Sequence, residues 1–261
     1  MNTTSLIAVA NRGLKSGGAD VEHLYELSKR RQWNAAELPW HAIDFRPLPF
    51  ELRQGVAELI AQIHHGELAA LTASARLVQS APDVMDRLFG ATQVADEARH
   101  VEWFSRLLFE LDAPAQVMPK VAALMAEVTA ADELELAVGM NILVEGLAQT
   151  TIMTVGRALD ALTLDGLESL RLIGKWLTEK VAGDESRHLA FGISRVRRLV
   201  GTLSAQRRAA LEARIGVWTE QLIGLASEQN AGVSAFGIDG DALLARCLAD
   251  TRSRFALAGL S

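Results

Sequence analysis

The sequence predicts an all-α fold built on a four-helix bundle, and three observations carry that expectation. From Phe50 onward apolar residues recur three or four apart, the period of a helix rather than the alternation of a strand. That stretch is rich in Ala and Leu, which favour helix. All six prolines lie at or before Pro119, so nothing breaks a helix after it.

The elements follow in order. Pro39, Pro47 and Pro49 mark an irregular N-terminal lead-in. A first long helix runs from about Glu51 to Val78. Ser80, Pro82 and Asp83 signal a stop and a fresh start. A second helix reaches about Leu111, where "DAPAQVMP" breaks the chain. A short helix near Lys120 to Val128 leads to a long one from about Ala131 to Leu159. Asp165, with Glu168 three residues on, has capping-box spacing and opens a helix to about Val200. Two further helices lie near Ser204 to Gln229 and Asp241 to Ala258, separated by the Gly-rich "NAGVSAFGIDG". The expected organisation is one domain over residues 1–261. Its core is a four-helix bundle at about 51–200, made of one hairpin at 51–111 and another at 131–200, with additional helical elements at both ends.

Composition narrows the function classes. The chain of 261 residues carries a formal net charge of −6, so no basic field draws it to nucleic acid or anionic lipid. The apolar run Leu6 to Ala10 is shorter than a signal-peptide core and lacks a basic flank before it. Glu145 interrupts the best candidate for a membrane-crossing stretch. A cytoplasmic location is expected, without a membrane or nucleic-acid partner. The single cysteine, Cys247, leaves carboxylates and histidines as the available metal ligands.

Two pentapeptides stand out: "DEARH" at Asp96 to His100 and "DESRH" at Asp184 to His188. Each places a Glu and a His three residues apart, so both side chains point from one helical face toward one centre. Buried carboxylates cost several kcal/mol each unless a cation turns that cost into coordination energy. A dinuclear site in such a bundle needs two more carboxylates, one from each helix that lacks the Glu-x-x-His pair. Glu67 lies 14 residues before a turn at Ala81 and Glu97 lies 16 after it, so antiparallel helices put them at similar depth. Glu58 would miss by about 10 Å at the helical rise. Glu145 is the acid alone in "MNILVEGLAQTTIM". Its distance to the following turn matches that of Glu185 only roughly, a difference that a bulge or tilt would close. The predicted metal ligands are therefore Glu67, Glu97, His100, Glu145, Glu185 and His188, with no catalytic residue beyond the metal centre. Four carboxylates neutralise two divalent ions, and mixed oxygen and nitrogen ligation suits iron, with manganese as a substitute.

At these residues the chain resembles the ferritin-like di-iron carboxylate proteins. The doubled motif is similar to that of the hydroxylase subunits of bacterial multicomponent monooxygenases, and "DExRH" is also similar to acyl-carrier-protein desaturases. "SKRRQWNAAELPW" resembles the Gln-Trp segment of ribonucleotide-reductase-like oxygenases. The resemblance covers about residues 25 to 200. It implies that each motif aspartate accepts a hydrogen bond from the ligand histidine of the opposite helix, Asp96 from His188 and Asp184 from His100. Arg99 and Arg187 would then neutralise those aspartates.

The resemblance also sorts the members. Reductase subunits that generate a radical carry a tyrosine where this chain has Phe104, and the only tyrosine, Tyr25, is distant in sequence from the ligand helices. Arylamine N-oxygenases have an additional His where this chain has Val181. Rubrerythrins add a cysteine-bound iron. Gln149 stands where the monooxygenase hydroxylases tend to place a threonine. His64 and His65 read as surface or packing residues, Trp33, Trp40, Trp103 and Trp176 as core packing, and Cys247 as a small buried apolar residue. What the resemblance implies is a di-iron oxygenase or oxidase, with two iron ions or a Mn/Fe pair, that uses O2 to hydroxylate or otherwise oxidise a small organic substrate. No flavin, nicotinamide or iron–sulfur motif is present, so an external electron donor is expected. A homodimer is compatible with this reading. The alternative is a ferroxidase or iron-binding protein without an organic substrate.

Overall fold

The computed structural model describes residues 20–163, 167–228 and 237–260, and among them there is no strand. Among the described residues, eight helices longer than a single turn follow one another. They are α1 (Val21–Arg30), α2 (Phe50–Gln79), α3 (Val84–Leu111), α4 (Pro119–Ala130), α5 (Glu133–Asp160), α6 (168–200), α7 (Ala205–Glu228) and α8 (Gly240–Leu257). The long helices end within about three residues of where the sequence places them. The expected apolar run at Leu6 to Ala10, the cap at Asp165 and most of the Gly-rich loop lie outside the described residues.

Short polar side chains set the boundaries. Asp83 accepts a hydrogen bond from the Asp86 amide at 2.8 Å and starts α3 three residues after Ser80 ends α2. Pro119 opens α4, where its missing N–H costs nothing. Asp132 caps α5 through the amides of Leu134 and Glu135, and Asp239 caps α8 through those of Asp241 and Ala242.

Helices α2 and α3 form one hairpin, α5 and α6 the other, and the two pack together as the bundle. Helix α4 crosses beside α2, while α7 and α8 cover α5. Helix α1, a helical element of the kind expected at the N-terminal end, packs on α3 and α6 and buries Leu24 and Ser28 against them. Two apolar clusters fill the bundle. One holds Ile60, Trp103, Leu107, Ile152 and Ile173, and the other Leu77, Val128, Met140, Ile193 and Trp218. Along α2, α5 and α6 the predicted ligands fall between these clusters.

Both helices of the second hairpin contain π-helical turns, at Ala137–Val144 just before Glu145 and at Leu177–Val181 just before the second motif. A π turn takes up extra residues without completing another α turn, and it often marks a functional site. This is the kind of bulge that the unequal spacing of Glu145 and Glu185 calls for.

One expectation needs correcting: α5 is long and apolar enough to cross a membrane by length and composition, despite Glu145. Within the fold, 67% of its most apolar window is buried against the other helices.

Close contact between α5 and α6 depends on glycine. A Cβ at Gly174 would lie 2.6 Å from the Asp160 amide nitrogen, the Gly156 carbonyl oxygen and Leu159 Cβ. Backbone cannot yield as a side-chain tip does, so Gly174→Val should force the hairpin apart and cost about 1–3 kcal/mol. Chemical denaturation should show it, and an unchanged midpoint would mean that the two helices are not held at this distance.

Candidate metal centre

Helix α3 supplies Glu97 and His100, α6 supplies Glu185 and His188, α2 supplies Glu67 and α5 supplies Glu145. The structure brings all six together, each no more than 5% exposed. Ligand atoms of Glu67, Glu97, His100 and Glu185 all lie within 4.8 Å of one another, and so do those of Glu97, Glu145 and His188. Glu97 belongs to both groups.

The two motif glutamates each reach both histidines. Glu97 Oε2 is 3.5 Å from His100 Nδ1, and its Oε1 is 3.1 Å from His188 Nδ1. Glu185 Oε1 is 3.2 Å from His100 Nδ1, and its Oε2 is 3.9 Å from His188 Nδ1. Glu67 Oε2 lies 3.2 Å from His100 Nδ1. Each ring therefore turns Nδ1 toward the glutamates.

The other ring nitrogen faces an aspartate on the opposite motif helix. His188 Nε2 is 3.1 Å from Asp96 Oδ2, and His100 Nε2 is 3.3 Å from Asp184 Oδ2. Such a partner fixes the tautomer and leaves Nδ1 free to ligate. Arg187 donates from Nη2 to Asp96 at 3.2 Å and also pairs with Asp184, while Arg99 pairs with Asp96 and sits 3.8 Å from Asp184. These are the pairings that the sequence resemblance implies for Asp96, Arg99, Asp184 and Arg187.

Several partners were not legible in advance. Trp33, read as packing, donates from Nε1 to Asp184 Oδ2 at 2.7 Å and stacks on the His100 ring with centroids 6.0 Å apart. Ser28 on α1 accepts from Arg187 Nε at 3.1 Å. Gln93 and Asn141 both donate to Glu145 Oε1, at 2.8 and 3.0 Å. Each stands four residues before a ligand glutamate, on the same helical face, and that spacing was the available signal.

The remaining residues singled out in the sequence lie elsewhere. His64 Nε2 is 2.9 Å from Ser105 Oγ, away from the cluster. Gln149 donates to Ser186 and accepts from Arg254. Thr150 binds the Gly146 carbonyl and Asp250, and Thr151 faces Cys247, which is buried. Phe104 is fully buried against Trp103. Tyr25, distant in sequence, packs in space beside Phe89, Ala190 and Phe191 of the ligand helices.

Electrostatics describe a site short of positive charge. Burial pushes Glu67 up to about 8, and burial with the neighbouring Glu97 pushes Glu145 well above the ordinary range. Burial also raises Glu185. For Glu97 burial acts in the same direction, but His188 and His100 outweigh it and hold the group low. Burial opposes charge on both imidazoles, yet the carboxylates around them keep both pKa values well above the ordinary histidine range. Glu97 Oε2, Glu145 Oε2, Glu185 Oε2 and His188 Nδ1 are buried without a hydrogen-bond partner. Unpartnered oxygens and a nitrogen facing one another are the donor set of a cation, so the residues fit a pair of metal ions.

Arg187 carries much of the compensation on the far side of the cluster. Arg187→Leu should leave Asp96 and Asp184 under-compensated and cost about 3–5 kcal/mol. Urea unfolding of metal-free protein would measure this, and a loss below about 1 kcal/mol would mean that Arg99 alone suffices.

No family model matches the chain, and no curated protein matches it. Solved structures do. The chain is similar to an R2-like ligand-binding oxidase variant with an anaerobically reconstituted Mn/Fe cofactor, at TM-score 0.72 and 24% identity, covering 93% of each chain. A variant with a non-activated Mn/Mn cofactor matches at TM-score 0.72 and 23% identity, again over 93% of each chain. A third, also with Mn/Fe, matches at TM-score 0.69 and 23% identity over the same shares. The chain therefore has the all-α, ferritin-like fold of the R2-like ligand-binding oxidases.

Proposed function

We propose that this chain is a dimetal oxidase that uses dioxygen to oxidise a small, largely apolar molecule. The observation that carries the reading is a cavity of about 150 Å³ that ends on three of the six clustered residues, Glu67, Glu145 and Glu185. Its other walls include Ile63, Val121, Met125, Leu147 and Leu222. A largely apolar pocket of this size holds a molecule about as large as benzene. A pure iron-storage role has no use for an apolar chamber beside the ligands, so the cavity favours the oxidase over the ferroxidase alternative.

Glu67, Glu97, His100 and Glu185 would hold one ion and Glu97, Glu145 and His188 the other, with Glu185 also within reach of His188. Two iron ions, or manganese with iron as in the similar structures, would supply the one-electron chemistry that dioxygen reduction needs. The chain's residues supply the rest. Asp96 and Asp184 hold the Nε2 protons of the histidines, which keeps Nδ1 free. The apolar walls exclude water and hold the substrate against the glutamates. Electrons come from an external donor, and Trp33, bonded to Asp184 and edge-on to the half-buried Trp176 at 5.9 Å, links the His100 side of the cluster toward the surface.

Metal loading should give two ions per chain and release protons. In the metal-free site burial pushes Glu67 up to about 8 and raises Glu145, and the surrounding carboxylates raise both histidines, whereas ligation needs the deprotonated forms. Affinity should therefore rise with pH through the region around 8 and fall on acidification. Anaerobic ferrous titration by calorimetry in buffers of different ionisation enthalpy reads both quantities. One ion per chain, or proton uptake, would contradict the paired site.

Ala148 lines the cavity and is not one of the clustered residues. Ala148→Phe should retain two ions yet lose oxidised product in a screen of small apolar substrates. If product forms at the wild-type rate, the cavity is not the substrate site. If the wild type yields only ferric mineral and no organic product, the storage alternative stands.

A further inference from the structure

Glu145 is held by two side-chain amides, whereas Glu97 meets one of the same amides at the longer distance of 3.4 Å. Its Oε1 accepts two amide hydrogen bonds, from Gln93 Nε2 at 2.8 Å and Asn141 Nδ2 at 3.0 Å, and its Oε2 is buried with no partner. A carboxylate oxygen has two in-plane lone pairs, and two donors occupy both. Glu67, the corresponding acid of the first hairpin, has no side-chain amide donor among the described residues, and its hydrogen-bond partner is His100.

The two donors are built in with some care. Gln93 is 1% exposed and Asn141 is fully buried. Asn141 is the one polar residue of the π-helical segment Ala137–Val144, where an amide costs burial energy unless it has work to do. Room for it depends on Gly192 across the helix interface, because a Cβ there would lie 2.4 Å from Asn141 Cβ. Donors from two different helices thus converge on one oxygen and leave the other pointing free.

We propose that Gln93 and Asn141 are positioning residues that confine Glu145 to a single donor oxygen. The ion held by Glu97, Glu145 and His188 is thereby kept short of ligands and open to an exogenous one. This rests on the dimetal reading above. The consequence is an asymmetric pair. On the Glu145 side the terminal carboxylate is held by two side-chain amides, and on the Glu67 side the terminal carboxylate meets a ligand histidine instead.

Cobalt(II) tests this without turnover, because its visible bands are strong when ligands are few and weak when six surround it. Wild-type protein loaded with cobalt(II) alone should bind two ions, one with a strong band that inorganic azide shifts. In Gln93→Met and Asn141→Leu, Glu145 is free to rotate and offer both oxygens. The strong band should collapse and the azide response should vanish, while two ions still bind. If Gln93 and Asn141 merely satisfy a buried acid, the variants lose stability but keep the wild-type spectrum and azide response, which overturns the inference. Circular dichroism identifies a variant that does not fold, in which case the other one decides. A wild-type protein that binds no cobalt overturns the dimetal reading and this inference together, whereas two ions with unchanged variant spectra overturn this inference alone.

Discussion

Charge compensation in a dry bundle core is the constraint on which the rest of this structure depends. Six carboxylates, from Glu67, Asp96, Glu97, Glu145, Asp184 and Glu185, lie buried within a few ångströms of two histidines. Arg99 and Arg187 supply the fixed positive charges near them, which leaves an excess of four negative charges if the imidazoles are neutral. Two divalent ions match that excess. Without them, burial raises Glu67 and Glu145 and the surrounding carboxylates raise His100 and His188, all in the direction that favours bound protons.

The compensation is layered. Nearest the centre, Glu97 and Glu185 each send one oxygen toward each histidine, which makes them the natural bridges of a paired site. Behind the histidines, the crossed aspartates tie α3 to α6, so each motif is oriented by the other. Farther out, Arg187 bonds Ser28 of α1 and Trp33 bonds Asp184, so the N-terminal segment closes the polar side of the site. The outer helix α8 acts on the opposite side. Arg254 donates to the carbonyl of Gly146, the residue after Glu145, at 2.6 Å and to Gln149 at 2.7 Å.

The site also has direction. Asp96, Asp184, both arginines and Trp33 gather on the histidine side, whereas Glu67, Glu145 and Glu185 border the apolar cavity. Polar connections and the largely apolar cavity thus meet the cluster from different faces.

Apolar periodicity made the helical bundle legible in the sequence, and the doubled Asp-Glu-x-Arg-His with counting from the turns made the six clustered residues legible, while the crossed aspartates were implied by the family resemblance. The reason is that helical periodicity is local: a spacing of three fixes a face, and counting from a turn fixes depth. The helix boundaries were legible for the same reason, since Asp83, Pro119 and Asp132 act on their immediate neighbours. What tertiary structure decided were contacts between residues far apart in the chain. Trp33 meets Asp184 across 151 positions, and Gln93 meets Glu145 across 52. The cavity draws its walls from α2, α4, α5, α6 and α7, so no single stretch encodes it. Even Tyr25, remote by sequence, packs beside Phe191, because α1 folds back onto the ligand helices. Periodicity says which face of a helix is buried; only the packing of the other helices says against what.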